Sequence, residues 1–230
     1  MKYCVLSDAH ANYPALKSVV DTVDSTVDGF IYLGDIVGLL GFPSETVSLL
    51  QDISLHTLKG NHDIKTIEDN MGWVNDEELS EFERSITQNL LSESQKTWIS
   101  DLQSFQQVTE GGVDITLSHG LPTPEKAHGV HEPGLMKKNF VTYASKIDTD
   151  FILVGHTHSQ EALDCSQFGH NTTVLNPGTV GQNFSSDEGY AEYAIIDTEK
   201  NTYSLKSQEY TVQDVIDRLN ELDVPVKWWR

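Results

Sequence analysis

Five short stretches of this sequence end an apolar run abruptly in side chains that can bind a metal ion or move a proton. They are Ser7-Asp8-Ala9-His10, Gly34-Asp35, Gly60-Asn61-His62-Asp63, Ser118-His119 and Gly155-His156-Thr157-His158. As ordinary core residues, these carboxylate, amide and imidazole groups would each need a buried hydrogen-bonding partner. We therefore interpret them as a functional site rather than as packing.

The spacing within these stretches favours strand ends over helices. Asp8 and His10 lie two residues apart, as do His156 and His158, and this spacing presents both side chains on one side of an extended segment. Five strand ends converge only if the strands lie side by side and point the same way, and ligand sites of α/β sheets lie at such carboxyl ends. We expect the site at that edge of the sheet.

The candidate side chains favour divalent metal ions. The candidates are Asp8, His10, Asp35, Asn61, His62, His119, His156 and His158. Carboxylate, amide and imidazole ligands without thiolate suit manganese, iron, nickel or zinc. Even without His62, the seven ligands that remain are too many for a four-coordinate structural zinc. They fit two ions about 3.5–4 Å apart that share a bridging carboxylate, an arrangement used for in-line displacement at phosphorus.

The elements that must position these residues alternate between strand and helix early in the chain. The patterns predict strands at Tyr3–Leu6, Phe30–Leu33 and Leu55–Lys59, and helices at Asn12–Val23 and about Ser44–Gln51. Such alternation predicts a parallel sheet covered by helices. Later strands are predicted at Phe105–Thr109, Val113–Leu117, Phe151–Val154, Thr173–Leu175, Ala191–Asp197 and Thr202–Lys206. The expected fold class is α/β, with two mixed β-sheets packed face to face and flanked by helices.

The chain is expected to form a single domain over residues 1–230, with residues 64–104 as a small helical cap-like segment. Ser92-Glu93-Ser94-Gln95 fits a capping box at the start of a helix. Thr211-Val212-Gln213-Asp214 is expected to cap the last helix.

The formal net charge of −20 at pH 7 limits the partners. Such a surface repels phosphate backbones and anionic lipids, so we expect no unspecific nucleic-acid binding and no membrane binding. Nothing resembles a signal peptide or membrane span, and the two cysteines lack metal-type spacing, which predicts a cytoplasmic location. A solubility adaptation to a salty cytoplasm is a further hypothesis for this acidity, and it concerns habitat rather than function.

The five stretches also resemble, in the same order, the five motifs of the calcineurin-like metallophosphoesterases. The segment Asn176-Pro177-Gly178-Thr179-Val180-Gly181-Gln182 is similar to one in the small single-domain bacterial and archaeal branch of that superfamily. The resemblance covers about residues 1–200 and implies the αββα sandwich of these proteins.

The resemblance implies two divalent metal ions, with manganese favoured and nickel, iron, cobalt or zinc as alternatives. It assigns the first ion to Asp8, His10, Asp35 and His158, and the second to Asp35, Asn61, His119 and His156. The resemblance makes Asp35 the bridge, which agrees with the ability of a carboxylate, alone among these ligand types, to place two oxygens on two cations. A metal-bridging water would then lose its proton and attack phosphorus in line.

By the same resemblance, His62 protonates the leaving oxygen or stabilises the charge on the phosphate, and Asp63 orients the His62 ring. No arginine accompanies any motif. Without a guanidinium clamp the recognition of a dianionic monoester is weaker, so a small phosphoester is the expected substrate, with either a preference for phosphodiesters or an undemanding substrate range. The substrate-binding residues are unknown at this level.

Three functions stay open. The first is a dinuclear metal-dependent phosphoesterase that prefers phosphodiesters. The second is a phosphomonoesterase that acts on phosphoproteins or nucleotides, including dinucleoside polyphosphates. The third is a non-catalytic scaffold, since the retromer subunit that resembles this fold is a binding module; the complete ligand set with His62 argues against it. A homo-oligomer is compatible with each.

The other histidines are interpreted as hydrogen-bonded scaffold residues. They are His56, His128, His131 and His170, of which His128 and His131 keep a substrate-side alternative because they follow His119 in the same loop. The four tryptophans, Trp73, Trp98, Trp228 and Trp229, are interpreted as packing residues.

Overall fold

The computed structural model describes residues 1–67, 85–129, 138–185 and 188–224. The strands are β1 (Lys2–Leu6), β2 (Gly29–Tyr32), β3 (Ser54–Thr57), β4 (Phe105–Glu110), β5 (Val113–Ser118), β6 (Phe151–Val154), β7 (Glu161–Asp164), β8 (Thr173–Asn176), β9 (Gly189–Asp197) and β10 (Thr202–Tyr210). The α-helices are α1 (Tyr13–Val23), α2 (Pro43–Ile53), α3 (Asn61–Ile67), α4 (Glu93–Asp101), α5 (Lys138–Ala144) and α6 (Gln213–Glu221). Residues 85–90 are also helical.

The strands form two mixed sheets of five strands each, which confirms the predicted fold class. The first sheet has the order β10-β9-β1-β2-β3, with β1, β2 and β3 parallel and β9 antiparallel to β1. The second has the order β4-β5-β6-β8-β7, with β5, β6 and β8 parallel between two antiparallel edge strands. The five strands that precede the predicted site motifs, β1, β2, β3, β5 and β6, all belong to the parallel parts of the two sheets.

Alternation along the strands builds the layers, because successive side chains point to opposite faces. Tyr3 and Val5 of β1 pack between the two sheets with Ile115 and Leu153 of the second sheet. Cys4 and Leu6 face the other way, and they pack with the buried residues of α1 and α2. Truncating one such buried leucine to alanine would cost about 2–5 kcal/mol of stability. A second helical layer, α5, covers the outer face of the second sheet.

Two of three helix starts have a side-chain cap, one of them predicted, and the third lacks the cap that was predicted for it. Asn12 caps α1 by accepting from the Ala15 N–H at 3.2 Å. The capping box of α4, with Ser92 and Gln95, is confirmed. α6 instead begins after Val212, which makes no side-chain cap hydrogen bond. Val212 is buried, so apolar burial rather than a Thr211 hydroxyl determines where this helix starts.

The predicted cap-like segment 64–104 is described only in part. Its residues 85–90 and α4 are helical, as expected, and residues 68–84 lie outside the described residues. α4 is fixed to α2 by the buried Gln95, whose amide donates to the carbonyl and hydroxyl oxygens of Ser44. Within the part of the chain described here, no helix has the length and apolarity needed to cross a membrane.

Candidate metal centre

All five predicted motifs follow parallel strands, at the carboxyl edge of the two sheets. Backbone hydrogen bonds tie the loops to one another across that edge. The Asp8 N–H donates to the Gly34 carbonyl at 3.0 Å, and the His10 N–H donates to the Asp35 carbonyl at 3.0 Å. In the second sheet, the Gly155 N–H donates to the His119 carbonyl at 2.9 Å. The loops therefore hold one another in place before any side chain contributes.

Several site residues have left-handed backbone conformations. The φ angles are +57° at Asp8, +49° at His10, +56° at Asp35, +66° at His156 and +55° at His158. Such a conformation is uncommon for residues other than glycine and costs about 1–3 kcal/mol when the surroundings enforce it. Five strained residues in one cluster indicate a site whose geometry is retained for function.

The first group of ligand-type atoms comprises Asp8, His10 and His158. The Nε2 atoms of His10 and His158 lie 3.1 Å apart, and Nε2 of His158 lies 3.3 Å from Oδ1 of Asp8. Asp8 and His10 are fully buried, whereas the side chain of His158 is 32% exposed. The first group therefore reaches solvent through His158.

The second group comprises Asp35, His119 and His156, with Asn61 beside them. Nε2 of His119 lies 3.4 Å from Oδ2 of Asp35 and 3.2 Å from Oδ1 of Asn61. The same Oδ2 of Asp35 lies 3.8 Å from Nε2 of His10 in the first group. Asp35 thus stands between the two groups and faces both with a single oxygen.

The donor set fits cations. Oδ1 of Asp8 is buried without a hydrogen-bond partner, which is costly unless another group satisfies it. Two imidazole nitrogens also face each other next to carboxylates, and divalent ions bind such mixed sets of nitrogen and oxygen ligands.

The pKa values of the site residues reflect a balance between burial and the neighbouring charges. Burial raises the pKa of Asp35, but His119, His62 and His10 outweigh burial and hold it well below the ordinary value. Burial lowers the pKa of His119, but Asp35 outweighs burial and raises it to about 9. Burial and the neighbouring His62 lower the pKa of His10 to about 3. Without a cation, protons on some of the histidines must balance the buried carboxylates.

His62 lies at the rim of the first group. Its ring centroid is 4.7 Å from that of His10 in an edge-on arrangement, and one of its ring nitrogens belongs to a compact set with His10 and Asp35. A side chain at Gly38 would come within 3.1 Å of Nδ1 of His62, so glycine there lets the ring pack onto the backbone. The ring is half-buried.

Asp63 has different partners from those expected. Its carboxylate accepts from the backbone N–H groups of Ile36, Val37 and Gly60 at 2.9–3.0 Å, and it makes no hydrogen bond to the His62 ring. Burial and the nearby Asp35 raise the pKa of Asp63 to about 7, although the three backbone bonds lower it. Asp63 therefore holds the loops that carry Asp35 and Asn61.

A second layer of side chains braces the site, and the motifs alone did not reveal it. The Thr179 hydroxyl donates to the Asp8 carbonyl at 2.8 Å, and the Asn176 amide donates to the Gly155 carbonyl at 3.0 Å. The Tyr32 hydroxyl accepts from the Ala9 N–H at 2.8 Å and donates to the Asp35 carbonyl at 3.2 Å. A tyrosine that ends an apolar strand was the available signal for the last of these.

The remaining histidines of the described residues lie elsewhere or beside the site. His56 pairs with Glu110 at 2.8 Å, at the other end of the strands. The backbone of His170 donates to the Cys165 carbonyl. His128 is half-buried in the loop after His119, next to Gly129. His131 lies outside the described residues, as do Trp73, Trp228 and Trp229, while Trp98 packs against the core.

Known proteins share both the sequence pattern and the fold. The model of the calcineurin-like phosphoesterase superfamily domain matches residues 1–201. An uncharacterized protein of Methanocaldococcus jannaschii is 24% identical over 241 residues, which cover 96% of this chain and 93% of that protein.

Three solved structures have the same fold. A metallophosphoesterase from Sphaerobacter thermophilus aligns with a TM-score of 0.76 and 24% identity, covering 99% of this chain and 96% of that one. A hypothetical protein of Pyrococcus horikoshii aligns with a TM-score of 0.82 and 16% identity, covering 99% of this chain and 95% of that one. An archaeal phosphodiesterase aligns with a TM-score of 0.53 and 19% identity, covering 90% of this chain and 99% of that one.

The family model spans most of the chain, from the first motif through strand β9 of the first sheet. All five motifs and the site that they form fall within it. The chain therefore belongs to the calcineurin-like phosphoesterase superfamily.

Proposed function

We propose that this protein is a metal-dependent phosphoesterase that binds two divalent ions and prefers phosphodiesters. The observation that carries the proposal is the position of Asp35. One carboxylate oxygen, Oδ2, lies 3.4 Å from Nε2 of His119 and 3.8 Å from Nε2 of His10, between two groups of ligand-type atoms. A shared carboxylate of this kind is the feature that distinguishes a two-ion site from two separate ones.

The ligands divide between the ions as the sequence suggests. Asp8, His10 and His158 would hold the first ion, and Asn61, His119 and His156 the second, with Asp35 common to both. When bound, the ions supply Lewis acidity that activates a water and polarises a phosphoryl oxygen. Manganese is the favoured metal, with nickel, iron, cobalt and zinc as alternatives, because the ligand types suit all of them.

Residues of the chain contribute the proton transfer. His62 lies at the half-buried rim beside His10, where the ring can reach a leaving oxygen. Nδ1 of His62 packs onto Gly38, so we assign the proton transfer to the other ring nitrogen, Nε2. Asp63 contributes indirectly, by holding the backbone of Ile36, Val37 and Gly60 on either side of the bridging carboxylate.

The charge around the site supports a diester rather than a monoester. Within the described part of the chain, the one arginine is Arg218, which donates to the Gly41 carbonyl and lies over the Phe42 ring. It is engaged away from the ligand groups, so among the described residues no guanidinium clamps a dianionic phosphate at the site. A protein that shares this fold, from an archaeon, is a phosphodiesterase.

The partners are proposed on charge, and the cytoplasmic location stays the one expected from the sequence. The net charge of −20 supports a small phosphoester substrate over a long nucleic acid or a membrane surface.

The test is turnover by metal-stripped protein, re-supplied in turn with manganese, nickel, cobalt, zinc and magnesium. We expect faster cleavage of bis-p-nitrophenyl phosphate than of p-nitrophenyl phosphate, and no cleavage without metal. A preference for the monoester would instead indicate a phosphatase. A protein that binds two ions but cleaves neither compound would indicate a scaffold. The variant His170→Ala is the control, because it removes a histidine far from the site.

A further inference from the structure

The loop of residues 120–129, here called the cover loop, closes on itself next to the second group of ligands. The Gly120 N–H donates to the Ala127 carbonyl at 2.6 Å, and the Lys126 N–H donates to the Thr123 carbonyl at 3.0 Å. A Cβ at Gly120 would lie only 2.7 Å from both Cα and N of Gly129. The two ends of the loop are therefore in backbone contact, and the loop forms one compact unit.

Gly129, at the end of this loop, packs directly onto two of the proposed ligands. A Cβ at this position would lie 2.6 Å from Oδ1 of Asn61 and 2.7 Å from Nδ1 of His156. Its φ of +91° also favours glycine. Only a residue without a side chain can bring its backbone this close, so the loop fits against Asn61 and His156 because position 129 is glycine.

Neither of these ligands can move aside freely. Oδ1 of Asn61 lies 3.2 Å from Nε2 of His119, and the His156 N–H donates to Oδ2 of Asp8 at 3.1 Å. A group inserted at Gly129 would therefore displace the ligand atoms themselves. Both residues belong to the second ion, whereas His10 and His158 of the first ion are not among the nearest atoms to Gly129.

We propose that Gly129 is a positioning residue for the second metal ion, and that the cover loop holds Asn61 and His156 in place through its backbone. This inference rests on the proposed two-ion function. Gly129 lies outside all five motifs, and neither the family resemblance nor the ligand pattern assigns it a role.

The experiment is a titration of metal-free Gly129→Ala with manganese. Calorimetry measures the affinity for each ion, and electron paramagnetic resonance detects the coupled ion pair. We expect the first ion to bind as in the wild type and the second to bind about 10- to 100-fold more weakly, as when a group that orients a metal ligand is lost. The spectrum of a single ion should persist, and the coupled signal should disappear.

The matched control is Gly112→Ala. Gly112 has a similar φ of +80°, but nothing lies within 4 Å of the position of its Cβ. This variant carries the same backbone strain without the collision, and we expect it to bind both ions as the wild type does.

The outcomes separate the two proposals. Wild-type protein that fails to bind two ions overturns the proposed function. If the wild type binds two ions, the proposed function stands and only the role of Gly129 is tested. That role is overturned if Gly129→Ala binds both ions as well as the wild type does, or if it loses both ions equally.

A measurement on the wild type covers the case in which Gly129→Ala does not fold. Coupling between two elements is reciprocal, so the second ion should stabilise the loop as the loop stabilises the ion. Hydrogen exchange at the Gly120 amide should slow when the second equivalent of manganese is added. An unchanged rate would overturn the proposal.

Discussion

The backbone N–H of His62 donates to Oδ1 of Asp35 across 2.8 Å. This bond joins the residue proposed as the proton donor to the residue proposed as the metal bridge. It also commits Oδ1, which leaves Oδ2 as the oxygen that faces both groups of ligands. The sequence argument expected Asp35 to use its two oxygens on two cations; in the structure, Oδ2 lies between the two groups and Oδ1 accepts the hydrogen bond from His62.

Asp35→Asn should weaken both ions together. The amide oxygen can still accept from His62, but a neutral NH₂ group then replaces the oxygen between His119 and His10. We expect each ion to bind more than about 100-fold more weakly. This loss of affinity is larger than the loss caused by removing a group that only orients a metal ligand. Metal content after dialysis and calorimetry measure it. Asp101→Asn, an exposed aspartate on α4, is the control.

Two ions still bound to Asp35→Asn at wild-type affinity would contradict the bridging assignment. Loss of only one ion would show that Asp35 belongs to one group rather than to both.

His62→Ala should keep both ions and lose most of the turnover. A positioned proton donor contributes about 10²- to 10⁴-fold to a rate, and His62 is not needed for either of the two ligand groups. The measurement is kcat for bis-p-nitrophenyl phosphate in fully metal-loaded protein, together with the pH profile. An unchanged kcat would remove His62 from the mechanism, and loss of metal would make it a ligand instead.

Asp63→Asn should destabilise the fold. The carboxylate accepts from three backbone N–H groups, but an asparagine turns an NH₂ group toward at least one of those donors. A buried donor left without a partner costs about 1–3 kcal/mol. Urea unfolding of metal-free protein should therefore give a lower free energy of unfolding. An unchanged stability with reduced kcat would support the original expectation that Asp63 acts on the His62 ring.

How far the sequence predicts this site depends on whether the signal is local. Each proposed ligand follows an apolar run by a few residues, so the motifs alone indicated both the residues and the sheet edge where they meet. The contacts of Asp63 could not be predicted in this way. Its partners Ile36 and Val37 are backbone groups of a loop 26–27 residues away, and nothing in their side chains signals the contact.

The elements of the fold likewise differ in whether a local sequence pattern predicts them. Strands with strong apolar patterns, such as β1 and β6, were predicted almost to the residue. The edge strand β7 was not, because Glu161-Ala162-Leu163-Asp164 is short and half-exposed, and pairing with β8 rather than its own pattern makes it a strand. Gly129 also carried no signal, since its importance arises from contact with Asn61 and His156, which are distant in sequence.

Metal-free protein should lose stability as the pH rises from about 6.5 to about 9. The folded pKa of His119 is raised from 6.5 to about 9, where the carboxylate of Asp35 outweighs burial. The stabilising charge is therefore fully present below the unfolded value and is lost as the pH passes the folded one. Thermal unfolding across this range measures the effect.

Bound metal should reverse this dependence. Metal ions need the neutral imidazole, so binding must release the proton of His119, and metal affinity should rise over the same range. Calorimetry in buffers of different ionisation enthalpy counts the protons released. A metal affinity independent of pH would show that His119 binds no ion.

Thr179→Val should loosen the first motif without removing a ligand. The substitution keeps the shape of the side chain but removes the hydroxyl that donates to the Asp8 carbonyl at 2.8 Å, and it leaves that buried acceptor with the Gly181 N–H alone. Loss of such a bond costs about 0.5–1.5 kcal/mol. Because Asp8 is held in a strained conformation at φ +57°, part of this cost should appear as weaker binding of the first ion.

The control for Thr179→Val is Thr97→Val on α4, where the hydroxyl donates to a carbonyl of its own helix in an exposed position. That change should alter stability by less than about 0.5 kcal/mol and leave both ions bound. Calorimetric titration should then show a weaker first ion in Thr179→Val alone. Equal affinities in the two variants would mean that the segment around Thr179 stabilises the fold but has no part in shaping the metal centre.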